Sequence, residues 1–244
     1  MKHSLCIAAA GSVLIIAFTV VSLLFSANAV FALQEIFLPL VSAAVFILAV
    51  VLAFKYKTRP AIAFALALGC NFLGCVYGSL HYFVRGSILT WHFTISNVSY
   101  VGLFLFLAAY SASLLYENLS RESRTNAKTY LIPSLGTAVL CAVCVFCLVS
   151  GYSSEISIII YGISMMLALW FALRVMCFAQ FRKANGFFTG VLIAHLITTL
   201  LWQFPFIRVE GFGMIFTSAA TVCVFLFYLP VMEHIALAPA EDEI

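Results

Sequence analysis

The stretch VFILAVVLAFKYKTRPAIAFALALG, residues 45–69, decides the fold. Two apolar runs meet at Lys55-Tyr56-Lys57-Thr58-Arg59-Pro60. The same kind of junction recurs along the chain. Basic residues cluster at Lys2; at Lys55, Lys57 and Arg59; at Arg121, Arg124 and Lys128; and at Arg174, Arg182 and Lys183. These clusters hold ten of the twelve Lys and Arg residues, and they come once per pair of hydrophobic segments. Cations that flank membrane spans stay on the cytoplasmic side. The rhythm therefore predicts a polytopic membrane protein.

Composition agrees. Hydrophobic residues make up 65% of the 244 residues and charged residues 9%. Soluble domains carry about 25% charged residues. Mean hydropathy is +1.15. One aqueous core cannot hide that much apolar surface, so lipid is the expected solvent for much of it. The basic residues lie as span flanks, not as a dense patch, which excludes a nucleic-acid partner. All eight cysteines fall inside apolar runs, where a thiol serves as a small packing group and no disulfide framework is expected.

Spans of about 20 apolar residues are read at 5–25, 36–54, 61–83, 94–116, 130–150, 156–178, 187–206 and 212–232. The runs are continuous, not alternating, so the fold class is all-α: an eight-span integral membrane helix bundle. Residues 1–232 form one transmembrane domain and 233–244 a short cytoplasmic tail. The charge map puts both termini and the connections 55–60, 117–129 and 179–186 in the cytoplasm, with the chain in the plasma (inner) membrane of a bacterium. The outer connections 26–35, 84–93, 151–155 and 207–211 hold only Arg85 and Arg208 as cations. Lys2, the first apolar run and Ala27-Asn28-Ala29 also resemble a signal peptide, and cleavage there leaves seven spans.

Candidate chemistry concentrates toward the outer ends. Asn71, Gly74, Gly78, His81 and Arg85 share one helical face. Gly74 and Gly78 form a GxxxG pattern that lets another helix approach closely. Trp91 and His92 follow in the next connection, then Ser96, Asn97, Ser99 and Tyr100. His195 is the one ionisable group expected near mid-membrane, on a face with Thr199 and Trp202. An intramembrane histidine marks a functional candidate. The predicted ligand-binding set is therefore His81, Arg85, Trp91, His92, Ser96, Asn97, Tyr100, His195 and Trp202.

Other features narrow the field. Glu35, Glu155, Glu210 and Glu233 all fall near span ends, so no carboxylate is expected in a span interior. Cys141, Cys144 and Cys147 lie in a span without a histidine or carboxylate to complete a zinc shell. Ser164 and His195 lack the surroundings of a Ser–His protease. No nucleotide fingerprint or HExxH is present, and neither a cofactor nor enzymatic activity is expected.

Residues 61–178 resemble the multi-helix N-terminal sensor modules of bacterial signalling proteins. The resemblance rests on a helix ending in small and aromatic residues, a Gly/Ser-containing loop, and Asn97-Val98-Ser99-Tyr100-Val101-Gly102-Leu103-Phe104. It implies a membrane sensory or ligand-binding module. Such a module takes a small or lipophilic signal from the outer side and passes it to a cytoplasmic partner or within a homo-oligomer. Membrane lipid is the other partner. The alternatives are a small-solute or lipid permease, and a membrane-embedded enzyme or haem-binding protein using His195.

Overall fold

The computed structural model describes residues 2–22, 27–85, 95–118, 127–151, 155–178, 182–202 and 212–237. Every regular element among them is helical. The helices are α1 (Lys2–Ser22), α2 (Ala27–Tyr56), α3 (Arg59–Arg85), α4 (Ile95–Asn118), α5 (Lys128–Val149), α6 (Glu155–Met176), α7 (Arg182–Leu201), α8 (Phe212–Leu226) and α9 (Tyr228–Leu237). Among the described residues, seven spans are long and apolar enough to cross a membrane, one of them running through α8 and α9 from Ile215 to Glu233. The expected eighth falls on α7, whose apolar part, Asn185–Leu201, is shorter. The whole of α7 has 20 residues, about 30 Å at 1.5 Å per residue.

Punctuation residues explain the boundaries. Between α2 and α3 the chain reverses through Lys57 and Thr58. Lys57 adopts a left-handed backbone (φ 52°), and its amide still bonds to the Ala53 carbonyl at 2.9 Å. Thr58 Oγ1 then accepts the Ala61 amide at 3.4 Å, and Pro60 occupies the first turn, where its missing amide costs nothing. After α5, Gly151 takes φ +66° and its amide returns to the Leu148 carbonyl at 3.1 Å. That is the usual role of a glycine just past a helix end.

Four expectations are corrected. The second span was expected at 36–54, yet α2 begins at Ala27, because Ala27–Gln34 is itself apolar and contains no breaker. Glu35 therefore sits two turns inside a helix, not in a connection. The seventh was expected at 187–206 but α7 spans Arg182–Leu201, which draws Arg182 and Lys183 into its first turn. The last run, expected as one helix over 212–232, breaks at Phe227. Pro230 has no amide for the Leu226 carbonyl, and the Phe227 amide is shared between Cys223 and Val224 carbonyls.

Consecutive helices run antiparallel. Arg174, late in α6, bonds Tyr130, early in α5. Gln34, early in α2, donates to Thr19, late in α1. The bundle thus has a basic end, carrying Lys55, Lys57, Arg59, Lys128, Arg174, Arg182 and Lys183, and an opposite end. Helices α2, α3, α4, α6, α7 and the α8–α9 pair each contact the next, and α8–α9 contacts α2, closing a ring. Helix α1 lies outside against α8 and α9, and α5 packs on α6. Ser4 donates to Glu233, and Leu226 stands 2.9 Å from where a Cβ on Gly11 would lie. The centre of the ring is aromatic: Phe64, Phe104, Phe188, Phe225 and Tyr228 are fully buried there with His195.

Candidate functional site

Toward the end opposite the basic one, a polar seam runs between α2, α3 and α4. Asn71, Cys75 and Ser79 recur every four residues on α3, so they share a face. Each takes a partner from another helix. Ser79 Oγ donates to the Glu35 carbonyl at 2.6 Å and stands 3.3 Å from Glu35 Oε2. Cys75 Sγ lies 3.6 Å from the Tyr100 hydroxyl. Asn71 Nδ2 donates to Ser42 Oγ at 2.9 Å. Ser96 Oγ adds a bond to the Gly74 carbonyl at 2.9 Å.

The GxxxG pattern makes this seam close. A Cβ on Gly74 would stand 3.0 Å from the Tyr100 ring, and one on Gly78 would stand 3.7 Å from Ser96 Oγ. Gly74 therefore permits the approach of α4, while Gly78 has room to spare.

One acceptor in the seam is bare: Asn71 Oδ1 is buried without a hydrogen-bond partner. A buried acceptor left bare costs about 1–3 kcal/mol, so this one invites a donor from outside the chain. Chemically, the seam can accept hydrogen bonds and offer a carboxyl group.

His195 lies elsewhere, at the centre of the ring. Its Nδ1 is 2.9 Å from the Tyr228 hydroxyl, and Phe104 and Phe225 stand edge-on at 5.6 and 5.4 Å between ring centroids. Thr198 and Thr199 hydroxyls both donate to the His195 carbonyl at 2.9 Å. Phe104 follows Tyr100 by one turn of α4, so a single helix links seam and centre.

The predicted residues divide accordingly. Ser96 and Tyr100 join the seam. Asn97 lies beside them on α4, partly buried, and His81 sits partly buried on α3 beyond Ser79. His195 belongs to the central cluster, and Trp202 follows the end of α7, partly buried. Trp91 and His92 lie outside the described residues, as does the side chain of Arg85. Ser164 donates to Tyr161 O of its own helix at 2.9 Å and makes no bond to His195. Cys144 packs against Gly162 of α6, and all eight cysteines are free thiols. Among the described residues, no three His, Cys, Asp or Glu side chains gather to hold a metal.

Sequence reasoning missed Glu35, Ser42, Ser79 and Tyr228. The signal for the first three was present. Asn71, Cys75 and Ser79 form an i, i+4, i+8 row, and Pro39 follows Glu35 by four residues, which leaves that carbonyl without its helical donor.

The fold defines an all-helical bundle whose helices are long and apolar enough to span a membrane. No protein-family model matches the chain, and no curated protein or solved structure is detectably similar to it.

Proposed function

We propose that this chain is an integral membrane sensory or ligand-binding module of eight spans. Its basic end lies in the cytoplasm of a bacterial cell and the α2–α3–α4 seam opens toward the outer side. It takes up a small or lipophilic molecule that donates hydrogen bonds. Ser96, Asn97 and Tyr100 form the core of the binding set, to which His81, Arg85, Trp91, His92 and Trp202 are also assigned, and His195 lies deeper. The observation that carries this reading is the bare buried acceptor in the seam, Asn71 Oδ1. Helix α4 then transmits occupancy toward the basic end, where a cytoplasmic partner or a second copy responds.

The packed centre favours binding over passage. Phe64, Phe104, Phe188, Phe225 and Tyr228 fill the ring below the seam. A permease needs a polar route through that layer.

The test uses purified protein in lipid nanodiscs, screened by thermal shift against small amines, alcohols and lipophilic amides. A ligand at 100 times its Kd stabilises by about 2.7 kcal/mol. The reading requires that a hit lose its effect in Asn71→Leu, which removes the bare acceptor. Uptake of the same hit into proteoliposomes would make the chain a permease. A haem absorption band in the purified protein would move the function to His195.

A further inference from the structure

Pro39 lies inside α2. Proline has no amide hydrogen, so the Glu35 carbonyl, four residues earlier, has no helical donor. Ser79 of α3 replaces it, with Oγ 2.6 Å from that carbonyl oxygen. In the low-polarity interior of a bundle, hydroxyl groups commonly repair such freed backbone groups.

A serine hydroxyl has one hydrogen. Here it belongs to the carbonyl, the nearer acceptor and the one the helix leaves bare. Yet Ser79 Oγ also stands 3.3 Å from Glu35 Oε2. With its hydrogen committed, Oγ meets Oε2 only as an acceptor. Two acceptors face each other unless the carboxyl group itself carries a hydrogen. A proton on Oε2 completes the chain: Oε2–H donates to Ser79 Oγ, and Ser79 Oγ–H donates to the Glu35 carbonyl. All three groups are then satisfied.

Among the described residues the surroundings supply no other counterpart. Glu35 forms no ion pair among the described residues, and its one side-chain partner is Ser79. From α3, Cys75 faces the same seam one turn away, and His81 and Arg85 lie beyond Ser79 toward the helix end. From α4, Tyr100 approaches with its hydroxyl on Cys75. From α1, Thr19 is bonded to the neighbouring Gln34 at 3.1 Å. Helix α8 contributes no titratable residue except Cys223.

We propose that Glu35 is a proton-binding site that locks α2 to α3. In the closed arrangement the carboxyl group is protonated. Loss of the proton breaks the Oε2–H bond and releases H⁺ to water at the end opposite the basic one. The carboxylate then draws the Ser79 hydrogen to itself. The Glu35 carbonyl loses its donor, and α2 is freed to move about Pro39. This inference stands on the Glu35–Ser79–Pro39 geometry and is independent of the ligand-binding reading above.

Infrared spectroscopy of the full chain in nanodiscs, with and without ¹³C-labelled glutamate, tests it. A protonated carboxyl band should shift with the label and vanish in Glu35→Gln. It should also disappear reversibly as pH is raised from about 5 to about 9. Hydrogen exchange of the α2 amides should accelerate over the same pH range in the wild type. It should not in Glu35→Gln, whose amide hydrogen donates to Ser79 as the acid does. If Glu35→Gln fails to fold, Ser79→Ala serves: it removes the acceptor, so the labelled band must move. Three outcomes overturn the proposal: no labelled acid band at low pH, a band unaffected by both substitutions, or an exchange response that follows sodium at fixed pH instead of pH. The last would assign the site to a metal cation. Ligand binding persisting in Glu35→Gln would leave the earlier reading standing while this one is judged by its own spectrum.

Discussion

The Nδ1 of His195 lies 2.9 Å from the Tyr228 hydroxyl, and both side chains are buried. The bond joins α7 to α9 directly after the break at Phe227. The Pro230 break and this bond therefore act together. The proline separates α9 from α8, and the tyrosine fixes the first residue of α9 to the ring centre. Tyr228→Phe keeps the ring and its edge contact with Phe64, at 5.8 Å between centroids, but strips His195 of its partner. The expected cost is about 0.6–2 kcal/mol in thermal unfolding in detergent. Adding His195→Phe should recover part of it, since removing both partners leaves no bare polar atom. A double variant as unstable as the sum of the two single ones would show that the pair is not coupled.

Gly74 and Gly78 look equivalent in the sequence but differ in the structure. A methyl on Gly78 meets only Ser96 Oγ at ordinary contact distance, 3.7 Å. A methyl on Gly74 meets three atoms of the Tyr100 ring at 3.0–3.2 Å, and that ring is held by Cys75. Gly78→Ala should therefore leave the melting temperature nearly unchanged. Gly74→Ala should destabilise by about 1–3 kcal/mol, the usual cost of overpacking. Equal effects at the two positions would remove Tyr100 from the α3–α4 seam.

These two positions show what was legible in advance. Helix existence followed from apolar runs that only lipid can solvate. The Asn71–Gly74–Gly78 stripe and Ser96–Tyr100 pointed to the α3–α4 seam because their spacing matches the helical repeat. The ring order of the helices did not follow. In a membrane bundle the lipid-facing and core-facing residues are equally apolar, so nothing in the sequence says that α4 meets α6 across α5. The Glu35–Ser79 contact joins residues 44 apart, and it was hidden because Glu35 was assigned to a connection. Tyr228 is one aromatic among many in the last apolar run, and only the break after Leu226 makes it the first residue of α9, buried at the ring centre.

At the basic end, Arg174, read from the sequence as one of the cytoplasmic-side cations, is 9% exposed. Its guanidinium lies 4.2 Å from the Tyr130 ring centroid and 5.0 Å from that of Trp170, and Nη2 donates to the Tyr130 hydroxyl at 2.7 Å. It also stands in the last turn of α6, where the helix dipole favours a cation. This group fastens α5 to α6, the helix on which it packs. Arg174→Ala should cost about 0.5–2 kcal/mol. Arg174→Lys should not fully restore it, because an ammonium lacks the planar face that stacks on both rings. Full rescue by lysine in a thermal unfolding series would reduce the role of Arg174 to charge.

The orientation of the bundle is the remaining premise of the outward-facing seam. Arg121, Arg124 and Lys128 follow α4, while the connection between α3 and α4 holds no Lys or Arg after Arg85, the last residue of α3. Positive charge within about 15–20 residues of a span end sets which side it occupies. A reporter active only in the cytoplasm should therefore work when fused within 119–126. One active only after export should work within 86–94. Replacing Arg121, Arg124 and Lys128 together by alanine should weaken that preference, measured as a mixed reporter ratio, while leaving helix content unchanged by circular dichroism. If the fusion within 119–126 is exported instead, the seam with Glu35, Asn71 and Tyr100 faces the cytoplasm. The proton of Glu35 then exchanges with the cell interior, and an outer signal has no route to it.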